Sequence, residues 1–391
     1  MNVLFMMPGW KDGSGPWMTR MMETFGNDLK AIVVKNSKGE NCWKREVPIY
    51  SIRHRRKAIH YMSRLLSICG ITSLCSTPDP NRLLKKIIRS HSISHVLCQY
   101  GTFAVNFMDI WQKTDVSLFV HFHGYDQTFD LRSYDRPQEK RFDDSYLQDI
   151  KTLSQHAIFV ANSQFSKKIL VDSGINETRI RVKYICTPLP DNKKQHVKTK
   201  DLKIIQLGRL VDCKSPDRTI KAFEIAKSKG FCGSLTLVGD GPLRITCELL
   251  RSRSNWKDSI HILGHVTWEQ GQYLLSEADI YTQHNITGEL THQTEALGVS
   301  ILEAMSFGLP VIATRNGGVL ETVVDNETGL LNDPGDVEAQ ADSFIKLAHD
   351  PELRQSMGDA GRKRIEECFT EEQEAEQLKK IMTSNYSIHS N

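Results

Sequence analysis

The stretch Glu295-Ala-Leu-Gly-Val-Ser-Ile-Leu-Glu303-Ala-Met-Ser-Phe-Gly-Leu-Pro-Val-Ile-Ala313 runs through a turn, a helix and a strand. Gly298 marks the turn, the apolar positions after it predict a helix to Ser306, and Pro310 to Ala313 is short and apolar. A helix leading straight into an apolar strand is one step of a parallel α/β sheet. The same alternation extends outward over the whole chain. In the first half, strands are predicted at Val3 to Met7, Ala31 to Val34, His95 to Gln99, Val116 to His121, Ala157 to Ala161 and Arg181 to Tyr184. In the second half they are predicted at Leu202 to Leu207, Ser234 to Val238, Ile260 to Leu263 and Ile280 to Gln283, with Pro310 to Ala313 completing the set.

The chain has 391 residues, of which 39% are hydrophobic and 25% charged, so intrinsic disorder and collagen-like structure are excluded. At roughly 100 to 200 residues per domain, two domains are expected. Between the two series lies Cys186 to Asp201, with two prolines, four lysines and few apolar residues, which is a linker composition. The boundaries are set at 1–188 for a first Rossmann-like domain, 189–201 for the linker and 202–370 for a second Rossmann-like domain. Pro351 to Thr383 reads as two charged amphipathic helices, and 371–391 is expected to cross back to the first domain.

No run of 18 apolar residues occurs, and Val3 to Pro8 is too short for a signal-peptide core. A cytoplasmic protein is expected, neither secreted nor membrane-spanning. Nine cysteines without a C-x-x-C pair predict reduced thiols rather than disulfides or a zinc site. Charge is uneven. Residues 1–188 carry 27 Lys and Arg against 17 Asp and Glu, whereas 202–391 carry 19 against 28. The basic half is expected to meet something anionic.

Ligands of open α/β sheets bind beyond the carboxyl ends of the strands. In the second half those ends lead into Gly208-Arg209, Gly239-Asp240-Gly241 and the polar run His284 to Glu295. In the first half they lead into Gly9 to Gly15, Tyr100-Gly101-Thr102, His123-Gly-Tyr-Asp126 and Asn162-Ser163. Glu295 and Glu303 flank the Gly298 turn, and the backbone N–H groups around Leu297 to Ser300 form an anion site aided by the helix dipole. Ionised carboxylates only accept hydrogen bonds, which suits the hydroxyls of a sugar. Arg209 and Lys214 are cations near a helix start, where the dipole opposes them, so an anionic ligand explains them better than surface placement does. The plainer readings are solvated acids at Glu295 and Glu303, a bare turn at Gly13 to Gly15, a structural histidine at His123, and a turn or cap at Asp126.

The Glu295 to Ala313 stretch resembles the E-x7-E signature of retaining, nucleotide-sugar-dependent glycosyltransferases of family 4. Gly208-Arg209-Leu210 with Lys214, Val238-Gly-Asp-Gly-Pro-Leu243, Asn316-Gly317-Gly318 with Glu321, and Asp325 to Leu331 add to the resemblance. His121 to Asp126 and Ala161 to Phe165 extend it into the first half. Ala296, where a glycine is frequent, and Cys186-Thr187 depart from the pattern.

The resemblance implies the B-type glycosyltransferase fold, α/β with two Rossmann-like domains facing across a cleft, and transfer with retention. It implies that Glu303 holds the ribose hydroxyls, that Glu295 holds the donor sugar, and that Arg209 and Lys214 neutralise the leaving diphosphate. Gly13, Gly15, Gly208, Gly239, Leu297, Gly298 and Val299 would complete the donor site, and His123 and Asp126 the acceptor side, with His123 also in the catalytic set. It implies a nucleotide-diphosphate sugar as co-substrate and no metal or other cofactor. No catalytic base is assigned.

The acceptor would be a glycan or lipid-linked saccharide in surface polysaccharide biosynthesis, and no nucleic acid is expected as a partner. Basic amphipathic stretches at 52–66 and 82–89 point to peripheral contact with an anionic membrane, or else to ordinary surface helices. A same-fold nucleotide-sugar epimerase and a non-catalytic nucleotide-sugar binding protein are the alternatives.

Overall fold

Strands buried on both faces are expected to be apolar throughout rather than alternating, and the observed strands follow that rule. In β1 (Val3–Gly9) the run Val3, Leu4, Phe5, Met6 and Met7 is buried without interruption. The coordinates are those of a computed structural model and describe residues 1–9, 15–36, 46–52, 79–129, 132–133, 136, 138–191, 194 and 201–384. The remaining strands of the first sheet are β2 (Leu29–Asn36), β3 (Ile49–Ser51), β4 (His95–Gln99), β5 (Ser117–His121), β6 (Ala157–Ala161) and β7 (Ile180–Val182). The second sheet holds β8 (Leu202–Leu207), β9 (Gly233–Val238), β10 (Ile260–Gly264), β11 (Ile280–Thr282), β12 (Val311–Thr314) and β13 (Gly329–Asn332).

The seven-stranded sheet has the order β3-β2-β1-β4-β5-β6-β7, and the six-stranded sheet the order β10-β9-β8-β11-β12-β13. Pairing is parallel in both. These are the two Rossmann-like sheets that the alternating pattern predicts. Strand order reverses direction between β1 and β4 in the first sheet and between β8 and β11 in the second. Crevices at such switch points are where open α/β sheets bind ligands.

β4, β6 and β8 occupy the predicted bounds, and the other predicted strands differ at their ends. Two strands were not anticipated. β3 has three residues, and β13 has four within a run read only as a motif, so both are too short for an alternation signal.

The chain divides into two compact units. The first comprises Met1–His121, Gln148–Val160 and the end of the chain from Ile381; the second comprises Phe122–Leu147 and Ala161–Lys380. The second contains an apolar cluster that includes Ile204, Phe223, Leu235, Leu237, Ile280 and Phe344. Among its buried polar contacts is the Lys183–Glu374 ion pair, where the side chains are 0% and 4% exposed. The Cys186 N–H also donates to Glu374, at 3.2 Å, so the helix Glu371–Thr383 is docked through a charge.

Residues 82–89 lie in the helix Pro80–Ser90, where Leu84, Ile87 and Ile88 are buried and Arg82, Lys86 and Arg89 are exposed. Its apolar stripe is therefore spent on the protein interior. Of the 52–66 stretch all but Ile52 lies outside the described residues, as does Gly13. Among the described residues no helix is long and apolar enough to cross a membrane.

Candidate functional site

β8 ends at Leu207 and passes through Gly208 and the exposed Arg209 into the short turn Asp212–Lys214. β11 ends at Thr282 and passes into the buried polar run Gln283, His284 and Asn285, which leads to Glu295. These two segments leave the sheet at its switch point, and they meet. Lys214 Nζ lies 2.8 Å from Glu295 Oε2, with side chains 13% and 15% exposed, and it also donates to Gln283 Oε1 at 3.4 Å. Burial pushes the Glu295 carboxyl up, but the Lys214 charge, its hydrogen bond, the Arg209 charge and the Leu297 N–H together hold it below its ordinary range. Glu295 is therefore an anion flanked by two cations.

Gly208 and Gly239, which end β8 and β9, lie side by side, with the Gly208 N–H donating to the Val238 carbonyl at 2.9 Å. The Leu210 N–H donates to the Asp240 carbonyl at 3.0 Å, so the two glycine loops form one ledge beside Arg209.

The turn after Glu295 has a defined cause. Gly298 adopts φ 87° and ψ 56°, a left-handed conformation that a side chain disfavours, and it opens the helix Val299–Ser306. The Val299 and Ser300 N–H groups have no carbonyl one turn back to bond to, and they begin this helix's positive end. The Leu297 N–H is already given to the Glu295 carboxylate. Glu303 sits on the same helix, half-buried between buried Leu302 and Ala304. Gly318 closes the turn from behind. A Cβ there would stand 1.9 Å from the Ala296 carbonyl oxygen, and its N–H donates to the Glu295 carbonyl at 2.9 Å.

Three residues brace this arrangement: Tyr281 and Asp212, to which the sequence assigns no role, and Ser163, which the sequence marks only as a strand-end residue within the Ala161 to Phe165 run. Tyr281 is fully buried, and its hydroxyl meets the Leu207 carbonyl at 3.1 Å and Ser300 Oγ at 2.8 Å, tying the end of β8 to the first turn of the helix. Burial raises its phenol far above the ordinary range. Asp212 accepts the Leu290 N–H at 3.1 Å, the Thr291 N–H at 2.9 Å and the Thr291 hydroxyl at 2.7 Å. It thereby fixes the loop that carries Glu295 to the turn that carries Lys214. Ser163 donates from Oγ to the Ala296 carbonyl at 2.6 Å. Their roles depend on partners 19 to 133 residues away, which no local pattern reveals.

On the other side of the turn, Gly124 approaches Ala296 so closely that its Cβ would lie 2.9 Å from that of Ala296. His123 is half-buried there, and burial, followed by the Lys183 charge, pushes its imidazole well below 6.5, so it is neutral near pH 7. Asp126 is fully buried; its Oδ1 accepts the His123 N–H at 2.9 Å, and its carbonyl accepts the Tyr146 hydroxyl at 2.7 Å. Asp126 thus braces the loop that presents His123. Gly15 begins the helix Gly15–Glu23 in the first unit. Among the described residues no group of three or more His, Cys, Asp or Glu is placed to hold a metal.

Within the second unit, then, Gly208, Arg209, Lys214, Gly239, Glu295, Leu297, Gly298, Val299 and Glu303 lie along the carboxyl ends of one sheet. Chemically, this is a ledge of backbone N–H groups, two cations and two carboxylates.

Residues 190–364 match the family model described as Glycosyl transferases group 1. The chain is 34% identical over 177 residues to a GDP-mannose-dependent phosphatidylinositol monomannoside mannosyltransferase of Corynebacterium glutamicum, covering 45% of this chain and 46% of that one. It is 28% identical over 181 residues to the amylovoran biosynthesis glycosyltransferase AmsK of Erwinia amylovora, covering 46% and 44%. The matched region thus spans less than half the length of these curated relatives. Over 98% of this chain the fold is similar to that of HepE from Anabaena in complex with UDP-glucose, with a TM-score of 0.74 and 18% identity over 99% of that chain. It is also similar to the sucrose-phosphate synthase of Thermosynechococcus elongatus, with a TM-score of 0.75 and 17% identity, over 97% and 98% of the two chains. The chain therefore has the two-sheet fold of these proteins, and residues 190–364, which carry the Lys214–Glu295 pair, are similar in sequence to group 1 glycosyl transferases.

Proposed function

We propose that the protein is a retaining glycosyltransferase of family 4, which moves a sugar from a nucleotide-diphosphate sugar to a glycan or lipid-linked saccharide acceptor. The observation that carries this reading is the Lys214–Glu295 pair at the β8/β11 switch point, with Arg209 beside it and a helix N-terminus behind it. Arg209 and Lys214 neutralise the charge that develops on the departing diphosphate, the task that preorganised cations perform best in a partly dry site. Glu303 accepts the ribose hydroxyls and Glu295 those of the donor sugar. His123, neutral near pH 7, contacts the sugar from the acceptor side. The reading needs no metal, because two cations and the helix N-terminus supply the positive charge. The relatives named for polysaccharide and phosphatidylinositol mannoside synthesis support an acceptor in surface polysaccharide or glycolipid assembly. The basic stretch at 52–66 and the exposed Arg82, Lys86 and Arg89 support contact with an anionic lipid surface.

The test is a panel of UDP- and GDP-sugars, first screened by thermal shift, in which a ligand at 100 times its dissociation constant adds about 2.7 kcal/mol. Hits are then incubated with and without saccharide acceptors, and diphosphate release is measured. Acceptor-dependent release with a retained anomeric centre is expected. Conversion of the donor alone into an isomer would make the protein an epimerase, and binding without release would make it a binding protein.

A further inference from the structure

The two successive backbone carbonyls that lead into the Gly298 turn are both captured. The Glu295 carbonyl takes the Gly318 N–H at 2.9 Å, and the Ala296 carbonyl takes the Ser163 hydroxyl at 2.6 Å. Ser163 is fully buried, and its oxygen serves twice, since it also accepts the Ser166 N–H at 2.9 Å as the N-cap of the helix Gln164–Asp172. The other exposed donors of that helix end are filled by one carboxylate. Glu321 accepts the Gln164 N–H at 2.8 Å, the Phe165 N–H at 2.6 Å and the Tyr184 hydroxyl at 2.9 Å. Glu321 lies in the short helix Val319–Thr322, directly after the Gly317-Gly318 pair that backs the Glu295 turn. Arg364 holds that segment through the Glu321 and Thr322 carbonyls, at 2.7 and 3.0 Å.

The same helix end reaches the loop that presents His123. Gln127 donates to Ser166 Oγ at 2.7 Å, and Ser166 Oγ donates to Asn162 Oδ1 at 2.5 Å. One helix N-terminus therefore bonds to the segment after His123 and to the turn after Glu295. Both contacts are made by side-chain hydroxyls of its first turn.

We propose that Ser163 is a positioning residue for sugar transfer: its hydroxyl, held by the first turn of the helix Gln164–Asp172, fixes the Ala296 carbonyl and so sets the Glu295 carboxylate and the Leu297 N–H against the His123 loop. The proposal rests on the glycosyltransferase reading above. Arg209 and Lys214 are carried by the segment after β8, which Ser163 does not hold, and Lys214 meets the linkage at Glu295 through their 2.8 Å ion pair. Loss of the hydroxyl therefore loosens Glu295, which lowers transfer, and leaves both cations in place, so that nucleotide binding is not weakened.

The experiment compares Ser163→Ala, Ser163→Thr and a control, Thr267→Ala, in the full chain. Thr267 is exposed and caps the helix Trp268–Glu277 through a capping box whose bonds run between residues 267 and 270, so its loss weakens the fold at a local cap rather than at the Ala296 carbonyl. Three quantities are read: kcat with the best donor and acceptor, the dissociation constant of the free nucleotide diphosphate, and the amide hydrogen exchange of a peptide spanning 295–300. Ser163→Ala is expected to lower kcat at least tenfold, to leave the free nucleotide diphosphate bound no more weakly than in the wild type, and to speed exchange in that peptide. Ser163→Thr, which keeps the hydroxyl, restores most of both effects, and Thr267→Ala lowers the melting temperature without either. Wild-type kcat in Ser163→Ala, or a loss of kcat that Thr267→Ala shares at matched melting temperature, overturns the proposal. If the wild-type protein releases no diphosphate from any sugar donor, the functional reading fails. Exchange at 295–300 then decides the positioning role alone, and unchanged exchange in Ser163→Ala overturns it.

Discussion

At the β1/β4 switch of the first sheet the described buried polar side chains include the amide of Gln99 and the imidazole of His121, whereas at the β8/β11 switch of the second they include an ion pair. In the first, Gln99 at the end of β4 bonds to His121 Nδ1 at 3.2 Å and to the Met21 sulfur at 3.7 Å. In the second, Lys214 and Glu295 form an ion pair that stays largely hidden from water. The two sheets share a strand order around the switch and differ, among the described residues, in what stands there. Topology supplies a crevice, and the side chains that follow the strands decide whether that crevice can hold an anion.

Removing one partner of the charged pair tests this contrast most severely. Lys214→Ala strands Glu295 with one cation instead of two and removes a charge directed at the leaving diphosphate. Turnover is expected to fall roughly 100- to 1000-fold, by analogy with lost oxyanion donors. Gln99→Leu, the matching change in the first sheet, is expected to cost about 1–3 kcal/mol of stability while keeping turnover within about threefold. Equal losses of turnover in the two variants would erase the distinction between the switch points.

A finer comparison divides the two glutamates. In the structure Glu295 holds Lys214, so Glu295→Gln releases the lysine for a diphosphate. Calorimetry should find the free nucleotide diphosphate bound as tightly as in the wild type or more tightly, while kcat falls. Glu303 stands apart from that pair on the helix. Glu303→Gln is expected to weaken nucleotide diphosphate and nucleotide sugar alike, by roughly tenfold, or about 1.4 kcal/mol. Weaker diphosphate binding in Glu295→Gln would mean that the carboxylate, not the lysine, organises the site.

Acidity probes both units together. Burial is the main cause that lowers the imidazoles of His95 in the first unit and of His123 and His284 in the second below 6.5. In His284 the Gly335 N–H donates to Nε2 at 2.9 Å, so Nδ1 carries the proton and meets Gln340 Oε1 at 2.7 Å. A depressed histidine stays neutral in the folded state while the unfolded chain takes up the proton. Stability is therefore full above about pH 6.5 and falls as the pH drops below it. Melting temperatures recorded from pH 7.5 to 5.5 should decline, and a flat profile would contradict the assigned protonation.

The smallest expected effect on turnover concerns the basic stretch of the first half. Replacing Arg53, Arg55, Arg56 and Lys57 with serine should weaken binding to anionic vesicles by about 1 kcal/mol per charge, with turnover on a soluble acceptor unchanged. Vesicle binding that ignores salt, or no binding by the wild type, would remove the membrane from the reading.

Much of this was legible from the residues, for physical reasons. Parallel strands are buried on both faces, so β4, β6 and β8 stand out as apolar runs, and the residues after β8 and β11 identify themselves by glycine and charge. What stayed hidden were partnerships between distant segments. Asp212 looks like any turn aspartate, yet its carboxylate holds residues 78 and 79 positions further on. Ser163 looks like a helix cap and is one, but its second bond goes to Ala296. For Asp126 the sequence offers an acceptor contact or a turn residue, and its buried carboxylate accepts the His123 N–H.

The Lys183–Glu374 pair also bears on how the chain is made. Its members are separated by 191 residues, so at about 5 to 20 residues per second a ribosome delivers the glutamate roughly 10 to 40 s after the lysine. Until then Lys183 has no anion to meet in its buried place, and a lone buried ammonium is too costly to persist. The segment around Tyr184 and Cys186 is thus obliged to wait, solvated, while the whole second sheet is synthesised.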